Sequence, residues 1–169
     1  MRNKVKADII KWLVDFVEKP NPLLNNWAPC PYARQARVNQ KIAFVDCTFN
    51  NLALKILENL AQLDTKDVVI FYYDPAESSA EELETLVEKI NRVVMTENYV
   101  LLEDHPERQE LINGVVMNFG KAALVLAQRL NKLNDASEQL RDKGYYRHWD
   151  EEALNTVVTW RFNNQCMHE

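Results

Sequence analysis

The run Val68-Val69-Ile70-Phe71-Tyr72-Tyr73 does most to restrict what this chain can become. Six consecutive β-branched or aromatic residues without a charge read as a strand, and Asp74-Pro75 ends it. Ile42-Ala43-Phe44-Val45-Asp46 reads as a buried strand before it. Tyr99-Val100-Leu101-Leu102 reads as a third, ended by Glu103-Asp104-His105-Pro106. Between these runs the apolar spacing turns helical. Residues 51–63 place Leu54, Leu57, Leu60 and Ala61 on one side. Residues 79–96 open on a Ser79-x-x-Glu82 capping box and turn Leu83, Leu86, Val87, Ile90 and Val94 inward.

Helices are expected at both ends of the chain. Residues 4–18 carry Val5, Ile9, Trp12, Leu13, Phe16 and Val17 at spacings of three and four, until Pro20 and Pro22 stop them. Residues 118–142 carry Phe119, Ala123, Leu126, Leu130, Leu133 and Leu140, with Gly144 as the stop. Residues 150–162 come last, capped by Asp150, with Leu154, Val157, Val158 and Phe162 on one face. Residues 106–117 offer only the turn signal Asn113-Gly114. Strands separated by helices pair in parallel through right-handed crossovers. The expected class is therefore α/β: a small three- or four-stranded, mainly parallel sheet covered by helices, with a helical C-terminal third. No linker interrupts the chain, so one domain over 1–169 is expected, its α/β part about 1–106 and its helical extension about 115–163.

Composition narrows the function classes. A chain of 169 residues with 47% hydrophobic and 27% charged residues is ordinary for a globular protein and needs no staples. The net charge of −5 argues against general nucleic-acid binding, which asks for a basic face. No apolar run approaches about 18 residues, so no membrane span is expected. The opening Met1-Arg2-Asn3-Lys4-Val5-Lys6 is basic, but the charges of Asp8, Lys11 and Asp15 leave no apolar stretch after it, so no signal peptide is expected. The three glycines, Gly114, Gly120 and Gly144, are too scattered for a phosphate-cradling loop. Cys30, Cys47 and Cys166 make an odd count without a Cys-x-x-Cys pair, which fits a reducing cytoplasm. Cys166-x-His168 lies too near the end of the chain to read as a metal site.

Two places stand out for chemistry. Ligands of open α/β sheets bind beyond the carboxyl ends of the strands. Those ends hold Asp46, Cys47 and Thr48, then Tyr73 and Asp74, then Glu103, Asp104 and His105. Converging there, carboxylates and an imidazole can hold a cation or work as an acid/base pair; aspartates after strands also serve as turn and cap residues. The second place is the stretch 19–40, a long loop with four of the six prolines. In it, Pro29 and Pro31 hold Cys30 between Trp27 and Tyr32, near Arg34 and Arg37. A cysteine held beside guanidinium groups can work as a thiolate, or simply pack as a small apolar residue. Arg34, Arg37 and Lys41 form a small basic patch suited to a carboxylate or phosphate. Tyr145, Tyr146 and Trp149 cluster with Arg147 and His148 between two helices, where aromatics pack the junction or dock a partner.

The core Cys30-Pro31-Tyr32-Ala33-Arg34, coming after a Trp-containing helix and before a strand, resembles a bacterial family whose signature runs Gly-Leu-Asn-Leu-Cys-Pro-Phe-Ala. The 68–73 strand and the His105-Pro106 step after a strand are similar as well. The likeness covers about residues 9–106. It departs upstream, where Asn26-Trp27-Ala28-Pro29 replaces Gly-Leu-Asn-Leu. The family brings no established activity, so the resemblance draws attention to Cys30 and His105 as a pair without supplying a reaction.

The leading expectation is a small cytoplasmic enzyme acting on a small anionic metabolite. Cys30 is its nucleophile or a thiolate ligand, and His105 its base or a co-ligand. Asp104, with Asp46, orients His105 or binds metal. Arg34, Arg37, Tyr32 and Trp27 hold the substrate, and no resident metal or cofactor is assigned. The alternative is a non-catalytic binding or assembly protein whose C-terminal helices dock a helical partner or a second copy. Neither reading involves nucleic acid or membrane.

Overall fold

A computed structural model describes residues 2–163 of the protein; Cys166 and His168 lie outside the described residues. Helix α1 (Arg2–Trp12) continues through a π-helical turn, Leu13–Val17, and the short α2 (Ala33–Val38) precedes β1 (Ile42–Asp46). Then come α3 (Leu52–Asn59), β2 (Val68–Tyr73), α4 (Ala80–Val94) and β3 (Tyr99–Asp104). A hairpin of β4 (Leu111–Ile112) and β5 (Val115–Val116) leads to β6 (Ala123–Arg129) and α5 (Leu130–Asp142). The last helical stretch is α6 (Glu151–Leu154), a π-helical turn Asn155–Thr159, and α7 (Trp160–Asn163). Among the described residues no helix is long and apolar enough to cross a membrane.

The chain is α/β as expected, but its four-stranded sheet is mixed, in the order β1-β2-β6-β3. β1 and β2 pair in parallel, with Phe44 opposite Ile70. β6 runs antiparallel to both β2 and β3. β1, β2 and β3 therefore share one direction, yet β6 separates the last two. This corrects the expected helix over 118–142. Ala122-Ala123-Leu124-Val125-Leu126-Ala127 is a continuous apolar run that fits either period, and a strand covered on both faces needs just such a run. Ala123, Leu124, Val125 and Ala127 are fully buried. The helical C-terminal third is thus shortened: the stretch 115–163 first contributes a strand to the sheet. The helix starts only at Leu130, whose N–H donates to the Asn98 carbonyl while the Asn98 side chain accepts the N–H of Asn131.

Other local expectations meet their chemistry. Ser79 and Glu82 form the capping box of α4, and Asp150 caps the last helix by accepting the Ala153 N–H. Asn113 and Gly114 both take positive φ, as the two-residue turn of the 111–116 hairpin requires. The stretch 19–40 is less irregular than expected. It contains a 3₁₀ turn at Pro22–Leu24, a bridge between Asn21 and Trp27, and α2. The apolar side of α3 is also rotated from expectation. Leu52 and Ile56 are buried, while Leu54 and Leu57 are exposed.

Alternation along the strands builds two layers. Val69, Phe71, Tyr73, Leu101, Val125 and Ala127 face α3 and α4, against Leu52, Ile56, Leu83, Val87 and Val94. Val68, Ile70, Tyr72 and Leu124 face α1, against Ile9, Leu13 and Val17. A satellite cluster joins Leu24, Ile112 and Val115 to Trp149 and Ala153. The last helix is tied to α5 by the buried Arg161, which donates to the Asn134 side chain at 3.2 Å and to Ser137 Oγ at 3.0 Å. This anchor sets the position of Val157 and Trp160.

Candidate functional site

The strand-end residues are mostly occupied as caps and braces. Asp104 accepts from Asn118 Nδ2 at 2.7 Å and from the Phe119 N–H at 3.0 Å, closing the excursion between β3 and β6. His105 is buried, with both ring nitrogens engaged: Nδ1 accepts the Glu107 N–H at 3.2 Å and Nε2 lies 3.0 Å from the Ser78 carbonyl. A nitrogen that accepts a backbone N–H carries no proton, so the proton sits on Nε2 and is donated to Ser78. Asp74 accepts from the Ala76 N–H, and Thr48 caps the next turn with Asn51. The buried Cys47 thiol meets the Tyr72 carbonyl; burial first, then Asp46 and Glu77, push its pKa up to about 12.

The Cys30 segment is pinned elsewhere. The Cys30 N–H donates to the Val17 carbonyl at 3.0 Å, and Tyr145 Oη donates to the Pro29 carbonyl at 2.5 Å. Trp27 packs edge-on against Tyr145, and Tyr32 Oη donates to Gln139 Oε1 at 3.3 Å. Part of Cys30 meets solvent, yet the dense protein around its thiol pushes the pKa up; the Tyr32 and Ala33 N–H groups oppose this without reversing it. Arg37 is committed to Glu18 through two bonds of 2.5 and 3.0 Å, and Arg34 is exposed. The structure thus groups Trp27, Cys30 and Tyr32 with Tyr145 and α5, and places Asp104 and His105 by the start of α4. Among the described residues no hydrogen bond links the two groups.

What the sequence reading missed is a groove of about 910 Å³ along β3. Leu102 and Leu126 of the sheet line it, with Met117. Trp12 of α1, Val157 and Trp160 of the last helix, Val87 and Asn91 of α4, and Met95 just after it add further apolar and amide surface. Its polar lining is acidic: among the described residues, Glu84, Glu88, Glu103, Asp104 and Glu110 stand against the single cation Arg92. Glu84 is engaged by Arg108. Burial, then repulsion from Asp104 and Glu103, pushes Glu110 up to about 7. Burial also raises Asp104 and Glu103 above the usual carboxylate range. The described lining contains no histidine, cysteine or serine. Among the described residues no group of three or more His, Cys, Asp or Glu side chains is placed to hold a metal ion.

The groove runs along β3, an edge strand, whose outer edge is occupied at Leu101. Asn91 Nδ2 donates to the Leu101 carbonyl and Asn91 Oδ1 accepts the Leu101 N–H, at 3.0 and 2.9 Å. The side chain satisfies the backbone groups that another strand would use. The groove therefore offers side chains, with Leu101 already paired.

Only fragments of this site are visible in the sequence. Glu103 and Asp104 belong to the strand-end group, whereas Trp12 reads as core, and Glu110 and Trp160 carry no local signal. Compared with protein-family models, curated proteins and solved structures, the chain matches none.

Proposed function

We propose that the protein is a binding protein whose groove along β3 takes a positively charged ligand with an apolar body. The observation that carries this reading is the composition of the groove: two indoles and aliphatic side chains together with five carboxylates among the described residues. A volume of about 910 Å³ suits a small organic molecule. Aromatic faces and carboxylates both attract a cation. Burial has already raised three of the carboxylates, so a bound ammonium supplies a counter-charge that water supplies poorly there.

This reading is non-catalytic, like the alternative, and the last helix forms one wall, but it takes a small ligand in place of a helical partner or second copy. It reverses the ligand charge expected from Arg34 and Arg37. Arg37 has its carboxylate partner in Glu18, and the Cys30–His105 pairing has no contact to support it. Isothermal calorimetry with phenethylammonium and with its anionic counterpart phenylacetate tests the proposal. Saturable binding of the cation, with at least ~10-fold weaker binding of the anion, is expected. Equal binding, or preference for the anion, contradicts it.

A further inference from the structure

The charges of the groove are unevenly placed along it. Glu84, Glu88, Asn91, Arg92 and Met95 follow one another at helical spacing along α4 and the turn after it, and all five line the groove. The chain passes from α4 to β3 through the short turn Met95–Glu97, and Asn91 of the helix bonds Leu101 of the strand. Helix and strand therefore lie side by side and run in opposite directions. The early turns of α4 stand by the last residues of β3, and the acids gather there. Glu84 and Glu88 both act on Glu103, and Glu103 and Asp104 both act on Glu110.

Arg92 stands apart from them. Along the helix axis it lies about 6 Å beyond Glu88 and about 12 Å beyond Glu84. Arg108 is bonded to Glu84, whereas among the described residues the Arg92 guanidinium has no ion pair or hydrogen bond. The Thr96 hydroxyl, at the same end of the groove, is used on the Val93 carbonyl. Arg92 is therefore the groove group that is placed to receive an anion. Leu102 follows Leu101 and pairs with Leu126, which gives the stretch between the two ends an apolar wall.

We infer that the ligand of the groove is a zwitterion, its ammonium among the carboxylates by the end of β3, its apolar body along Leu102 and Leu126, and its own carboxylate on Arg92. The inference rests on the cation reading above and adds a second charge with its place. A guanidinium holds a carboxylate through two parallel bonds, so Arg92 fixes the direction in which the ligand lies. The two charges of the ligand must be separated. An α-amino acid, with its charges on one carbon, would set its carboxylate among the acids.

Isothermal calorimetry at pH 8 and low salt tests this on the full chain with three amines. Phenethylammonium carries the cation alone. 4-(2-Aminoethyl)benzoate adds a carboxylate at the far end of the same ring, and phenylalanine adds one beside the ammonium. The benzoate is expected to bind at least ~10-fold more tightly than phenethylammonium, and phenylalanine more weakly than either. Arg92→Gln is expected to abolish the advantage of the benzoate and to strengthen phenethylammonium, because it removes the opposing charge; Arg92→Lys is expected to keep part of the advantage. A variant that misfolds weakens both ligands alike, and the three amines on the unaltered chain then decide. Phenethylammonium binding with no gain from the far carboxylate, an equal gain in Arg92→Gln, or phenylalanine binding as tightly as the benzoate overturns the inference and leaves the cation reading standing. Binding of none of the three overturns both.

Discussion

His105 holds its proton on Nε2 because Nδ1 accepts a backbone N–H, and both bonds lie in a buried site. That makes it a brace between the end of β3 and the entry to α4. Nitrogen-15 spectroscopy is expected to show the Nε2–H tautomer. His105→Ala leaves the Ser78 carbonyl without this donor and is expected to cost about 1–3 kcal/mol in urea unfolding, with the alkylation rate of Cys30 unchanged. A large change in that rate contradicts the separation of the two residues. Glu110 is the titrating group of the groove. Its pKa, about 7 in the fold against 4.5 for an ordinary glutamate, means that the folded chain resists its ionisation. Stability from this group is therefore lost as pH rises from the ordinary carboxylate range to about 7, and affinity for a cation grows over the upper part of that window. Phenethylammonium is expected to bind up to ~10-fold more tightly at pH 8 than at pH 6. Glu110→Gln should flatten that dependence, leaving Glu103 and Asp104 to set what remains. Fixed geometry around Cys30 was legible from its two prolines. The side chain that fixes it was not, because Tyr145 arrives from 116 residues along the chain from Pro29.

Asn91 is a polar residue on an otherwise apolar face of α4, and its sequence context gives no hint that it completes a sheet edge. Replacing it with alanine removes both partners of Leu101. The expected cost is about 1–3 kcal/mol, with faster exchange of the Leu101 amide; unchanged exchange contradicts the pairing of Leu101 with Asn91. At this scale the local chemistry was readable where short-range rules govern: the capping box of α4, the Asp150 cap and the Asn113-Gly114 turn. It failed where burial comes from distant elements. β6 satisfies a helical spacing, and only its place between β2 and β3 decides for a strand. In α3 the Leu54-Leu57 spacing suggested the inner face, but the packing against the sheet selects Leu52 and Ile56. Phe71 sits fully buried in the central β2. Phe71→Ala is expected to cost about 3–5 kcal/mol by chemical denaturation, and a cost near zero contradicts the placement of β2 at the centre.

The molecule as a whole carries a net charge of −5, and among the described residues five carboxylates line one groove against one arginine. Such a field draws cations toward the groove from solution and weakens with salt. The α/β class was legible from alternating strands and helices, but the groove was not. Its walls come from α1, α4, β3 and the last helix, so it exists only after β6 has inserted and Arg161 has docked the last helix on α5. The four tryptophans provide the most direct test of the account. Trp12 and Trp160 line the groove, whereas Trp27 and Trp149 pack around Tyr145. In a two-dimensional nitrogen–proton spectrum titrated with phenethylammonium, the indole N–H signals of Trp12 and Trp160 are expected to move and saturate together while those of Trp27 and Trp149 stay in place. Movement of Trp27 and Trp149 alone, or of none of the four, contradicts a cation site in the groove along β3.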